Sequence, residues 1–229
     1  MNRALRLAAA LLALAVPVAR SAPDPARFTT RIDNPWFPLT PGSVYVYRGI
    51  EEGRSAREVV KVTHRTKLIQ GVRCVVVDDR VYLDGRLAER TTDWYAQDRK
   101  GNVWYFGEET VELDGSGTVT TTEGSWEAGI DRAIVGLFMP AEPTLGQTAR
   151  LEYLRGVAED QFRVISLDGR AETPFVSSRE ALVTEEWTRL EPDVSELKVY
   201  VRGIGLVAAG ARDDDRERMS LVSFVPGRG

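Results

Sequence analysis

The sequence predicts a mainly β protein, folded as a single domain of antiparallel strands. Three observations carry this. Runs of β-branched and aromatic residues recur along most of the chain, and Gly, Asp and Asn punctuate them at turn spacing. No apolar pattern of helical period is long enough for a stable helix. The composition fits a globular body: of 229 residues, 43% are hydrophobic and 28% charged. Those values exclude a collagen, a wholly disordered chain and a polytopic membrane protein. A formal net charge of −4 argues against a general nucleic-acid binder, which needs a basic surface. One Cys excludes an intrachain disulfide, and one His argues against a His/Cys zinc site.

Residues 1–21 read as a secretory signal peptide. Arg3 and Arg6 form the basic start, Leu7 to Val18 the apolar run, and Ala19-Arg20-Ser21 a small-residue cleavage site. The run is shorter than the roughly 20 residues that span a bilayer. No Cys lies near the cleavage region, so lipid attachment there is excluded. Cleavage removes Arg3, Arg6 and Arg20 and no acid, which leaves a more acidic mature chain. The expected destination is the periplasm or the outside medium, with no transmembrane segment after cleavage.

Residues 22–42 follow as an extended lead-in. In Asp33-Asn34-Pro35-Trp36-Phe37-Pro38 each proline biases its predecessor away from helix, and Trp36 and Phe37 are expected to plug an apolar surface. The β-rich domain is assigned to 43–226. Its first strands are read at 43–48, 56–63, 71–78, 80–83, 87–97, 102–108, 110–113 and 118–122, with Asp84-Gly85 and Asp114-Gly115 as hairpin turns. Around 126–139, Gly129, Gly136 and Pro140 interrupt an apolar helical face, so a short helical turn within a loop is expected. Strands resume at 148–154, 158–166, 180–190, 196–201, 206–208 and 218–225.

The densest stretch runs from Asp93 to Glu108, with five aromatics around one reversal. Pairing Gln97 with Asn102 places Tyr95 opposite Trp104 and Asp93 opposite Phe106. Both faces of this ribbon are aromatic. One of them must therefore meet something besides the main core: the lead-in, the 126–139 segment, or a ligand.

Four stretches carry a resemblance: Asn34-Pro35-Trp36-Phe37-Pro38-Leu39, Asp93 to Glu108, Ser125-Trp126-Glu127-Ala128-Gly129, and Tyr200 to Val207. On these the chain resembles an uncharacterised family of exported bacterial β-rich proteins. The resemblance implies an exported single β domain and brings no activity and no catalytic residue. A curved antiparallel sheet or half-barrel is expected by analogy with periplasmic lipoprotein carriers, and fold analogy does not fix function.

Several motifs point to chemistry. Gly203-Ile204-Gly205-Leu206-Val207-Ala208 has the form of a dinucleotide fingerprint, but no helix pattern follows, so it reads as a strand with a glycine bend. Asp98, Asn102 and Glu108 are oxygen donors of the kind Ca²⁺ takes, yet Arg99 and Lys100 stand between them, which favours a plain turn. Asp213-Asp214-Asp215, flanked by Arg212 and Arg216, reads as a solvated turn. Alternation puts Cys74 on a strand face with Val72 and Val76, as a buried thiol rather than a nucleophile served by His64.

Three functional readings result, the third a purely structural or assembly module. The first is an exported, non-enzymatic protein that binds an apolar or amphipathic small molecule, a lipid or an envelope protein. Trp94, Tyr95, Trp104, Phe106 and Trp126 would line its surface, without cofactor or metal. The second is a carboxylate hydrolase acting on an envelope or extracellular glycan, with Glu127, Asp131, Glu159 and Asp160 as candidates.

Overall fold

The computed structural model describes residues 22–51, 53–212 and 218–228. The expected signal peptide and the Asp213-Asp214-Asp215 turn lie outside them. Fifteen strands belong to one antiparallel sheet that does not close into a barrel. In chain order they are β1 (Phe28–Thr29), β2 (Val44–Glu51), β3 (Arg54–Ile69), β4 (Val72–Leu83), β5 (Arg86–Asp98), β6 (Val103–Leu113), β7 (Val119–Thr121) and β8 (Trp126–Glu127). They continue as β9 (Gly136–Met139), β10 (Thr148–Arg150), β11 (Asp160–Glu172), β12 (Ser177–Thr188), β13 (Ser195–Val201), β14 (Gly205–Ala211) and β15 (Arg218–Val225). The spatial order runs β10 through β15, then β2 through β7; β1 pairs with β5, while β8 and β9 pair with β6.

Tight turns set the long hairpins. Gln70-Gly71 and Asp84-Gly85 both have positive φ at their two residues, the mirror-image turn geometry that matches strand twist. Two other reversals share a different device. At Asp98–Asn102 and at Asp114–Thr118 the aspartate carboxylate accepts from the backbone N–H groups two and four residues on. A glycine at positive φ, Gly101 or Gly117, closes each turn. Gly115 is therefore not the reversing residue expected from Asp114-Gly115.

This device also corrects the expected register. Asp98 and Asn102 close the turn, so Gln97 pairs with Val103 and Tyr95 with Tyr105. A bulge then admits Phe106, and Asp93 faces Glu108.

The sheet curls strongly. β5 and β13 stand six places apart in strand order, yet their side chains line one cavity. Alternate residues point into it: Tyr45 and Tyr47, Glu58 and Val60, Val77 and Asp79, Asp93 and Tyr95. The residues between face outward, and around β4–β6 these too are buried. Lys67 Nζ lies 3.3 Å from the centre of the Trp94 ring, and Phe28 meets Phe106 edge-on at 5.5 Å. Two-sided cover explains why β4 reads as an unbroken apolar run through Val75, Val76 and Val77.

The 126–139 segment contains no helical turn. It is loop with two short strands, because it docks edge-on: Gly136 sits so close to the Leu151 carbonyl that a Cβ would lie 1.9 Å from that oxygen. Ile134 bridges to Tyr153. This segment spans the gap between β6 and the β10–β11 end of the sheet without completing a barrel.

The lead-in is fixed by a knot of buried amides. Gln97 Oε1 accepts from the backbone N–H groups of Asp33 and Asn34, and Gln97 Nε2 donates to Asp33 Oδ1 at 2.7 Å. Asn34 Nδ2 donates to the carbonyls of Gly101 and Pro140, and its Oδ1 accepts from Trp36 N. Asn34→Ala strands these buried groups and is expected to cost about 3 kcal/mol. Urea denaturation checks this: the midpoint should fall while the slope stays constant.

Candidate functional site

A cavity of about 290 Å³ occupies the concave side. At one end its wall is aromatic. Tyr95 stacks on Tyr105 with centroids 4.7 Å apart, and Phe138 packs edge-on against both. Phe37, delivered by the lead-in, lies 4.5 Å from Phe138. Leu206 and Ile204 form another part of the wall. An adjoining cavity of about 440 Å³ shares Glu58, Asp79, Lys198 and Leu206 with the first and runs on to Glu196, Arg218 and Met219.

The rest of the first cavity is acidic. Asp93 and Glu108 are cross-strand partners on β5 and β6. Tyr105 Oη donates to Asp93 Oδ1 at 2.5 Å, and Thr110 Oγ1 to Glu108 Oε2 at 3.4 Å. On the facing wall, Glu152 accepts from Trp126 Nε1 at 2.8 Å, beside Asp160. Glu58 and Asp79 face each other from β3 and β4, and Asp79 Oδ1 is sealed from solvent with no hydrogen-bond partner. Glu186 holds Lys198 at 2.7 Å. Lys198 is the one basic residue in this lining.

Burial moves these groups. It raises Asp93 to about 7, against the Tyr105 hydrogen bond. Burial, then the neighbouring Asp93, raises Glu108 to about 8. Burial, then Asp160, raises Glu152 to about 9. Asp79 is raised by burial and by Glu58. Lys198 is held well above the usual lysine range: burial opposes its charge, but Glu186 and Glu196 outweigh it. Acids that stay protonated near neutral pH are characteristic of functional sites, because a carboxyl there can give or take a proton.

Of the five aromatics expected to bind a ligand, Tyr95 alone lines the cavity. Trp94 and Phe106 belong to the covered outer layer. Trp104 Nε1 donates to Asp98. Trp126 packs edge-on behind Tyr105 at 5.3 Å. Of the four candidate carboxylates, Asp160 lines the cavity. Glu127 pairs with Lys67 at 2.7 Å, Asp131 sits exposed in a positive-φ turn, and Glu159 accepts from Gly156 N.

Three other motifs resolve structurally. Asp98 accepts from Lys100 N, Asn102 N, Asn102 Nδ2 and Trp104 Nε1, which commits its carboxylate to the turn. Gly203 lies in a turn and Gly205 opens β14. Cys74 is fully buried, and burial pushes its thiol up to about 12, while His64 is exposed.

Sequence reasoning missed Glu58, Asp79, Asp93, Glu108, Glu152 and Glu186. A signal was present at Asp93, an acid placed mid-strand directly before Trp94 and Tyr95 with no turn residue beside it. Among the described residues, no three His, Cys, Asp or Glu are grouped to hold a metal ion, and no helix is long and apolar enough to cross a membrane.

Fold and site together define an open, curled antiparallel sheet around an acid-lined cavity. No family model and no curated protein matches the chain. Two solved structures are similar. One, from Bacteroides fragilis NCTC 9343, is named as an exported protein with a YmcC-like fold; the alignment covers 83% of this chain and 99% of that one at 14% identity, with a TM-score of 0.47. The other, a chain from Parabacteroides distasonis ATCC 8503 named as a lipoprotein, covers 83% and 98% at 10% identity, with a TM-score of 0.43.

The raised acids fix the sign of a pH effect. Glu152 and Glu108 bind protons more tightly folded than unfolded, so their contribution is full below about 4.5 and is lost as pH rises through about 8 to 9. Melting temperature should therefore fall from pH 5 to pH 9. Glu152→Gln keeps an acceptor for Trp126 and should flatten that decline, which thermal melts across the pH series will check.

Proposed function

We propose that this chain is an exported β-protein, of the family it resembles, that binds a small amphipathic molecule in the cavity of its concave face. One observation carries the reading. The cavity joins an aromatic end, built by Phe37, Tyr95, Tyr105 and Phe138, to an acidic end on the same sheet. An apolar wall with a few convergent polar groups is the usual form of a small-molecule site, and its volume lies at the low end of the roughly 300–1,000 Å³ range for such sites. Export rests on the residue pattern of 1–21. The binding residues shift accordingly, from the aromatic set read along the sequence to Tyr95 together with Phe37, Tyr105 and Phe138.

The carboxylate hydrolase is the second reading. The pairing of Asp93 with Glu108, with carboxyls raised to about 7 and about 8, favours it, since a glycosidase needs one acid and one base flanking the bond. Turnover on a glycan panel, lost in both Asp93→Asn and Glu108→Gln, would support hydrolysis over binding alone.

The binding reading is tested with a neutral naphthylamine probe, whose own fluorescence rises on transfer from water to an apolar site. A saturable rise in probe fluorescence under direct excitation is expected in the native protein. Leu206→Trp fills the cavity from a half-buried position and should weaken probe binding by about tenfold or more. Its melting temperature should stay within a few degrees of the native value. Equal binding in both proteins would remove the cavity from the account.

A further inference from the structure

The ionisable groups lining the cavity are unmatched: seven acids share it with one lysine. Glu186 is neutralised by Lys198 at 2.7 Å, which also reaches Glu196 at 3.5 Å. Both ion pairs of that lysine are with these two glutamates. Asp93, Glu108 and Glu152 have hydrogen-bond donors, namely Tyr105, Thr110 and Trp126, but every one is neutral. A neutral donor satisfies an oxygen without cancelling its charge. Glu58 and Asp79 are hydrogen-bonded neighbours on the shared border of the two cavities, and Asp79 Oδ1 is buried without any partner. A sealed acceptor without a donor costs about 1–3 kcal/mol, so its retention calls for a reason.

The opposite face of the same strand shows how this protein treats an acid it means to neutralise. Glu185, one residue from Glu186, is held by Arg163 at 2.6 Å and also by Arg212. Two guanidinium groups serve one outward carboxylate, while the inward acids beyond Glu186 share the field of the single Lys198, with Arg218 on the far side of the adjoining cavity.

We propose that the cavity's ligand carries a cationic nitrogen, a primary ammonium group seated at the Glu58–Asp79 border with its apolar part against the Phe37–Tyr95–Tyr105–Phe138 wall. An ammonium offers three N–H donors and one positive charge; Lys198, the ammonium already on this border, is held by Glu186 and Glu196, and Asp79 Oδ1 still has no donor. A cleft walled by acids also raises the local concentration of cations. As one ammonium enters, one proton held by the cavity's carboxyls leaves to solvent, so charge is conserved in the site.

This rests on the small-molecule reading above, and one experiment separates the two. Hexylammonium chloride and hexan-1-ol share an apolar chain and differ in charge. Calorimetric titration of the mature protein at pH 7 should show hexylammonium binding at least about tenfold tighter. Two buffers of different ionisation enthalpy should report proton release with the amine and none with the alcohol. Asp79→Asn should erase the amine preference while the alcohol still binds; Glu58→Gln is the companion variant if Asp79→Asn loses a cooperative melt. Equal affinities for amine and alcohol overturn the cationic ligand and leave the cavity reading standing. No binding of either, with no displacement of the naphthylamine probe, overturns both.

Discussion

A pair of buried amides holds the concave side together. Gln97, on the strand before the aromatic reversal, accepts from the Asn34 backbone N–H of the lead-in and donates to its Asp33 carboxylate, bonds that neither segment could make alone. Residues 33–39 carry no strand partner of their own, so the backbone there would otherwise leave polar groups unpaired. Because Asn34 also reaches the carbonyls of Gly101 and Pro140, three distant stretches share one anchor. Phe37 and Leu39 stand in the cavity wall as a consequence. An open sheet has no intrinsic reason to enclose a volume; this one does so because a strap is tied across it.

The curl then imposes an electrostatic cost. On a flat sheet, alternate residues such as Glu58, Asp79 and Asp93 would face water, where a carboxylate is cheap. Curled, they face one another at low effective dielectric, where desolvation favours the neutral acid. Removing water from several carboxyls at once is among the most expensive arrangements a small protein can adopt. An apolar residue at the same positions would pack without that penalty. The placement is thus hard to explain by stability, and it coincides with the part of the fold that encloses space.

The strands were legible because alternation and turn dipeptides act locally. Asp84-Gly85 reversed the chain where its residues require. The aromatic hairpin slipped by one residue because its turn depends on a carboxylate reaching two N–H groups, a side-chain effect that counting loop residues does not capture. The 126–139 stretch kept a helical spacing of apolar residues, but Gly136 had to meet the Leu151 carbonyl at a distance no side chain allows, and that tertiary contact decided it. The acidic cavity was not legible for a different reason. Period two tells which residues share a face, but it does not tell which face is enclosed, and an acid in a strand reads as solvated unless the curl is known.

The aromatic residues illustrate the same point from the other side. Their density drew attention to Asp93–Glu108 as a binding surface, yet most of them work in support. Trp126 braces Tyr105 and donates to Glu152 with the same ring, so it joins the aromatic wall to the acidic one. Trp94 lies beneath Lys67, which pairs with Glu127 on the outer layer. Large rings at these sites fix the positions of Tyr95, Tyr105 and Asp93 to a degree that smaller side chains would not. The hairpin's chemistry therefore resides in the residues between the tryptophans. Tyr105 shows this most directly: its ring closes the apolar wall, and its hydroxyl holds the Asp93 carboxyl in place at the start of the acidic one.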